Sequence, residues 1–152
     1  MRKKKSKYNK YKQGKFSPQA KEKYKGSLPV IYRSSWELQL FRWLDRNSSC
    51  IRWGSESCVI RYKFRGTVHR YFIDVNATFK TKDGPKKFLI EVKPYRQTIP
   101  PVESNRKKAK TLLYEKHEYA KNIAKWTAAK RFAKQRGAKF IILTEKELFI
   151  DK

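Results

Sequence analysis

Between residues 34 and 48 the apolar side chains recur at helical spacing. Trp36, Leu40, Trp43 and Leu44 fall at i, i+4, i+7 and i+8, on one face. Ser34 or Ser35 supplies the N-cap, and Asn47-Ser48 ends the predicted helix. Downstream the period drops to two. CVIRYKF (58–64) reads as a strand, Arg65-Gly66 as a turn, and VHRYFIDVNATFK (68–80) as one long strand. On that strand Tyr71, Ile73, Val75, Ala77 and Phe79 share a face. Asp83-Gly84-Pro85 is a turn signal, and KFLIEVK (87–93) returns as the partner strand, ended by Pro94, which has no N–H for a ladder. From about Ser104 to Arg136 the pattern is helical again, in one helix or two. Leu112, Leu113, Ile123, Trp126, Ala129, Phe132 and Ala133 form a stripe between lysines, and Gly137 suits the position after the C-cap. AKFIILT (138–144) is a last strand, and Thr144 with Glu147 forms a capping box for a short last helix. The order α-β-β-β-α-β predicts a mixed α/β domain, one layer of sheet with helices on it.

Composition changes this picture in one respect. The 152 residues suit a single domain, and 39% are hydrophobic, enough to build a core. Yet 39 Lys and Arg face 13 Asp and Glu, a formal charge of +26. Such an excess says little about fold and much about partners: a polyanion is expected, nucleic acid first. The cations crowd the N-terminus, where Arg2, Lys3, Lys4 and Lys5 open a stretch with a single acid, Glu22. Residues 1–26 are therefore expected to be a disordered DNA-binding tail, and residues 27–152 the folded domain. No run of 18 apolar residues exists and no signal-peptide core opens the chain, so no membrane is expected. Two cysteines, Cys50 and Cys58, with His69 and His117 make neither a disulfide framework nor a zinc site; the thiols read as small core residues.

Candidate chemistry gathers at the end of FLIEVK. Glu91 and Lys93 project from one face of the strand. If the turn is centred on Asp83-Gly84, Asp74 sits across from Lys93 and diagonal to Glu91. A register shift of two puts Asp74 directly opposite Glu91 instead. Either register brings two carboxylates and a lysine to one patch. Oxygen ligands of this kind suit Mg²⁺, with Mn²⁺ as a substitute, and a cation so held can polarise a phosphoryl oxygen. Glu37, on the first helix, is a candidate third acid, although its spacing from Ser34 equally suits a capping box. Glu91 with Lys93 can equally be a structural ion pair. Arg33, Arg96 and Gln97 flank the patch and are candidates to touch phosphate.

SSWE, YFID and EVK, in that order, together with YRSSWE, EVKP and GAKFIILTE, resemble the PD-(D/E)xK nuclease superfamily with its restriction-endonuclease-like fold. The resemblance is to the branch holding the endonuclease subunit of heteromeric bacterial transposases, and most of all to the head-completion nucleases of T-even-type phages. It implies that Glu37, Asp74 and Glu91 are metal ligands, that the Val92 carbonyl is a fourth, and that Lys93 is the catalytic lysine. The superfamily often carries Pro before the aspartate, where this chain has Ile73. The resemblance further implies an endo- or exonuclease acting on double-stranded DNA late in phage assembly. Phage portal, neck or head proteins are the implied partners, and the host cytoplasm or the virion head or neck the implied location. Two alternatives stand beside it: a basic packaging or ribosome-associated binder, and a repair or transposition endonuclease.

Overall fold

The computed structural model describes residues 13–149. At its centre is a four-stranded sheet in the order β3 (Cys50–Ser55), β6 (Val75–Thr81), β7 (Gly84–Val92) and β8 (Ala138–Leu143). The first three are antiparallel neighbours, and β8 runs parallel to β7. A parallel pair needs a crossover, which α2 (Ala109–Gln135) supplies as one continuous helix. It ends at Gly137, whose φ of 65° is in the left-handed region that closes a helix. Two small sheets complete the fold. One pairs β1 (Gly14–Phe16) with β2 (Val30–Tyr32), and the other is a ribbon of β4 (Val59–Phe64) and β5 (Thr67–Phe72).

Both faces of the main sheet are covered. On one, α1 (Ser35–Arg46) packs Trp36, Leu40, Phe41 and Leu44 against Val75, Ala77, Ile90 and Val92. On the other, Trp126, Ala129 and Ala133 of α2 pack with Leu89, Ile60, Tyr62, Tyr71 and Ile73. A strand buried on both faces reads as an unbroken apolar run, which is why FLIEV lacks alternation. It also buries Glu91, which shares the α2 side with Leu89.

Several expectations are corrected. The long strand 68–80 is broken at Ile73-Asp74. Ile73 donates its N–H to the Cys58 carbonyl and the Asp74 carbonyl accepts from Glu56, so the chain leaves the ribbon there and enters the main sheet. Tyr71 and Ile73 consequently pack in one core, Val75 and Ala77 in the other. Residues Cys50–Ser55, where the sequence predicted no element, form the edge strand β3. Its Gly54 looks like a turn residue yet is there for packing: a Cβ would meet Ser57 Oγ at 2.7 Å and Gly26 Cα at 3.0 Å. Trp43 is 46% exposed, lying over Phe79 rather than in the core, while Leu113 and Ile123 of α2 face solvent.

The tail is corrected over residues 13–26; Arg2, Lys3, Lys4 and Lys5 lie outside the described residues. Asp45, buried near the C-terminus of α1, accepts the N–H groups of Gln19 and Ala20, each at 3.0 Å. Lys23 Nζ donates to the Asp45 and Asn47 carbonyls at 3.1 and 2.8 Å, where a helix end leaves acceptors unpaired and favours a cation. Tyr24 stacks edge-on to the buried Trp53. Neither the carboxylate nor the helix end could be buried without these partners.

Candidate active site

Three acids reach one place from three elements. Glu37 sits at the third position of α1. Ser34 caps that helix by accepting the Glu37 N–H at 3.2 Å, as its sequence predicts. The Glu37 carboxylate, however, takes the Arg33 N–H at 2.7 Å, one residue before the cap, so it does not return the capping-box bond to Ser34. It is 6% exposed. Asp74 lies in the bend between β5 and β6, and its Oδ2 accepts the Val92 N–H at 2.8 Å. Glu91 sits near the end of β7, 5% exposed. Val75 pairs with Ile90 and Thr81 with Gly84, which places Asp74 next along the ladder opposite Glu91. The turn is thus centred on Lys82-Asp83, and of the two registers the shifted one is adopted.

Lys93 follows directly. Its ammonium is 3.8 Å from Glu91 Oε1, and its N–H is fixed to the Leu143 carbonyl of β8. The other Glu91 oxygen, Oε2, accepts from the Tyr71 hydroxyl at 2.6 Å. Burial, the Glu91 charge and that hydrogen bond all push the Tyr71 phenol up, so it stays a donor. Lys125 of α2 stands over the Tyr71 ring at 5.4 Å, its pKa lowered by burial and by the charge of Lys93. Burial, then the charges of Glu91 and Glu37, raise Asp74 well above the usual carboxylate range. Burial raises Glu37 too, with the charges of Glu56 and Glu91 adding to it.

Sequence reasoning did not single out Tyr71, Lys125 or Glu56. Glu56 follows β3 with a left-handed φ of 52° and forms an ion pair with Arg33. Arg33 is therefore engaged by an acid on the rim of the site. Arg96 and Gln97 lie in a 3₁₀ turn (Tyr95–Gln97) just past Lys93, Arg96 exposed and Gln97 half-buried. A signal for Tyr71 existed in the sequence: it lies three residues before Asp74, at even spacing from Ile73 on the inward face. Its bond to Glu91 depends on the break at Asp74 and has no local trace.

Among the described residues no three Asp, Glu, His or Cys side chains close into a ready-made metal cluster. The donors that do approach are all carboxylate, and each has an oxygen held by a protein donor, which fixes its direction. Neighbouring negative charges that raise the pKa of Asp74 and Glu37 are the condition a cation relieves, so the donor set fits a hard divalent ion.

Comparison with known proteins gives the same direction. The family model described as TnsA-like endonuclease N terminal matches residues 47–145, a span that holds Asp74, Glu91 and Lys93 but not Glu37. The head completion nuclease of Enterobacteria phage T4 is 41% identical over 138 residues, covering 87% of this chain and 90% of that protein. The chain belongs to the TnsA-like endonuclease family and, within it, to the head completion nucleases.

Proposed function

We propose that this nuclease hydrolyses phosphodiester bonds of double-stranded DNA with a divalent cation held by Glu37, Asp74, Glu91 and the Val92 carbonyl. Mg²⁺ is the expected ion and Mn²⁺ a substitute. The observation that supports this reading is the position of Asp74, one residue before the first β6–β7 pair (Val75 with Ile90) and so facing Glu91, with the Lys93 ammonium 3.8 Å from the Glu91 carboxylate. When bound, the cation supplies Lewis-acid polarisation of a phosphoryl oxygen.

The chain's own groups do the rest. Tyr71 donates to one oxygen of Glu91 and Val92 to one oxygen of Asp74, so both carboxylates hold their orientation before substrate arrives. Lys93, half-buried and tethered at its N–H to β8, directs its ammonium at charge that develops on the phosphate. Glu91 is 5% exposed and bonded to Tyr71, which packs in one core with Trp126, so water is kept from its inner side. In this reading Arg96, exposed three residues past Lys93, touches a neighbouring phosphate together with Gln97.

The working place is the infected bacterial cell, late in assembly. The substrate is packaged DNA at the portal end of the filled head, before the tail joins, with portal, neck or head proteins as partners and retention in the virion to follow. The test is nicking of supercoiled plasmid by the parent, Glu91→Ala and Lys93→Ala, each with Mg²⁺ and with EDTA. Metal-dependent nicking lost in both variants is expected. Plasmid binding without cleavage under every metal condition would sink the reading.

A further inference from the structure

The ribbon of β4 and β5 has two unlike faces. Its inner face carries Ile60, Tyr62 and Tyr71 onto α2, a buried and partly aromatic contact. Its outer face is formed by the alternate residues, paired across the strands as Val59 with Phe72, Arg61 with Arg70, and Lys63 with Val68. Phe72 is 48% and Val68 58% exposed, and Arg61, Lys63 and Arg70 are all exposed. Arg65 continues the basic row into the turn. No acid occurs from residue 59 to residue 72. Among the described ion pairs none involves these four cations.

Arg61 directly opposite Arg70 is an arrangement that costs stability in an isolated sheet, because like charges meet across the ladder. The repulsion disappears when an anion lies over both. The ribbon also leads straight to the reacting groups: β5 ends at Phe72, two residues before Asp74, and Tyr71 on its other face holds Glu91. A two-stranded ribbon is narrow enough to enter the major groove of a duplex. Bordering apolar groups such as Phe72, beneath the Arg70 guanidinium at 5.7 Å, can rest on base edges or sugars.

We propose that the outer face of the β4–β5 ribbon is the duplex-DNA contact that seats the double helix beside Asp74 and Glu91, with Arg61, Lys63, Arg65 and Arg70 on its phosphates. The assignment rests on the nuclease reading above for its substrate, and on charge and geometry for its place. It also divides labour: the ribbon binds without sequence preference, and the carboxylate patch cuts whichever phosphate is presented.

The experiment measures binding of a short duplex, in EDTA, as a function of salt, for full-length parent and Arg61→Gln/Arg70→Gln. Each lost phosphate contact removes about 0.9 from the log–log salt slope, equivalent to about eightfold in affinity near 0.1 M salt. The double variant is therefore expected to lose about 2 in slope and roughly 60-fold in affinity. Lys82→Gln/Lys86→Gln removes the same charge at the far end of β6 and β7, where Lys86 faces Phe79, about 17 Å from Asp74 along the strand for Lys86 and about 26 Å for Lys82, and is expected to stay close to the parent. Equal losses in both double variants, or none in the ribbon variant, overturn the proposal. Single-stranded DNA binding with the same affinity and slope as duplex would also overturn it. Lys63→Gln gives a second reading on the same face, expected to lose about 1 in slope, and decides the question should the arginine variant fail to fold. Cleavage of the same duplex by the parent in Mg²⁺ is scored separately. Ribbon-dependent binding without parental cleavage would keep the ribbon and sink the nuclease reading.

Discussion

Asp74→Asn is expected to make the protein more stable and inactive at once. In the folded chain Asp74 directly precedes the β6–β7 ladder, at the position facing Glu91, and residues so opposed across strands have Cβ atoms about 5 Å apart. Two unit charges roughly 6 Å apart repel by about 3 kcal/mol at an effective dielectric near 20. The Lys93 ammonium on Glu91 offsets part of this, leaving about 1–2 kcal/mol. Asparagine keeps an acceptor for the Val92 N–H and removes the charge. For a chain of this size that gain corresponds to a rise in Tm of about 2–8 °C.

The sign with pH follows from linkage. The folded Asp74 carboxyl titrates above its unfolded value, so its contribution is fully present below the unfolded pKa, near 4, and is lost as pH rises through the raised folded pKa. The parent and Asp74→Asn should therefore melt together near pH 4 and diverge towards pH 8, the variant higher. The assay is thermal unfolding followed by circular dichroism in EDTA across that range. Parallel curves, or a variant less stable at pH 8, would refute the reasoning, because the acids would then not be in repulsive contact. Added Mg²⁺ should stabilise the parent alone, by about 2.7 kcal/mol at a hundredfold excess over Kd, which is enough to close the gap and reverse it.

Three further outcomes are expected. Tyr71→Phe removes a 2.6 Å bond to a buried carboxylate. It should cost about 1.5–3 kcal/mol in chemical denaturation and slow cleavage by leaving Glu91 unaligned, and unchanged cleavage would show that Tyr71 is only core. Asp45→Ala strips the N–H groups of Gln19 and Ala20 of their acceptor, at about 1–3 kcal/mol; limited proteolysis should then cut within residues 13–26, and a resistant variant would argue against that anchor. Deleting residues 1–12, which hold seven Lys or Arg, should flatten the salt dependence of DNA binding without changing the melting curve, and an unaltered slope would remove the tail from the DNA interface.

The sequence by itself determined everything that a few neighbouring residues decide. The Ser34 cap of α1, Gly137 at the end of α2 and the Thr144–Glu147 capping box are local hydrogen-bonding choices, and all three are adopted. It also carried the ordered acids and lysine that mark the family, together with the net charge that calls for a polyanion.

What only the tertiary structure decided depends on contacts far apart in the chain. The β6–β7 register differs by two from the symmetric reading, because the tight turn closes on Thr81 and Gly84, and that shift is what sets Asp74 opposite Glu91. The break at Ile73-Asp74 is invisible to alternation: apolar residues continue at even spacing through it, but the first half packs under α2 and the second under α1. Edge strand β3 hid behind a glycine that is there for close packing. Tyr71 and Lys125 join the site only because α2 and the ribbon fold over the end of β7. A periodic pattern records which face of an element is buried, not which layer buries it, and this site stands where two layers meet.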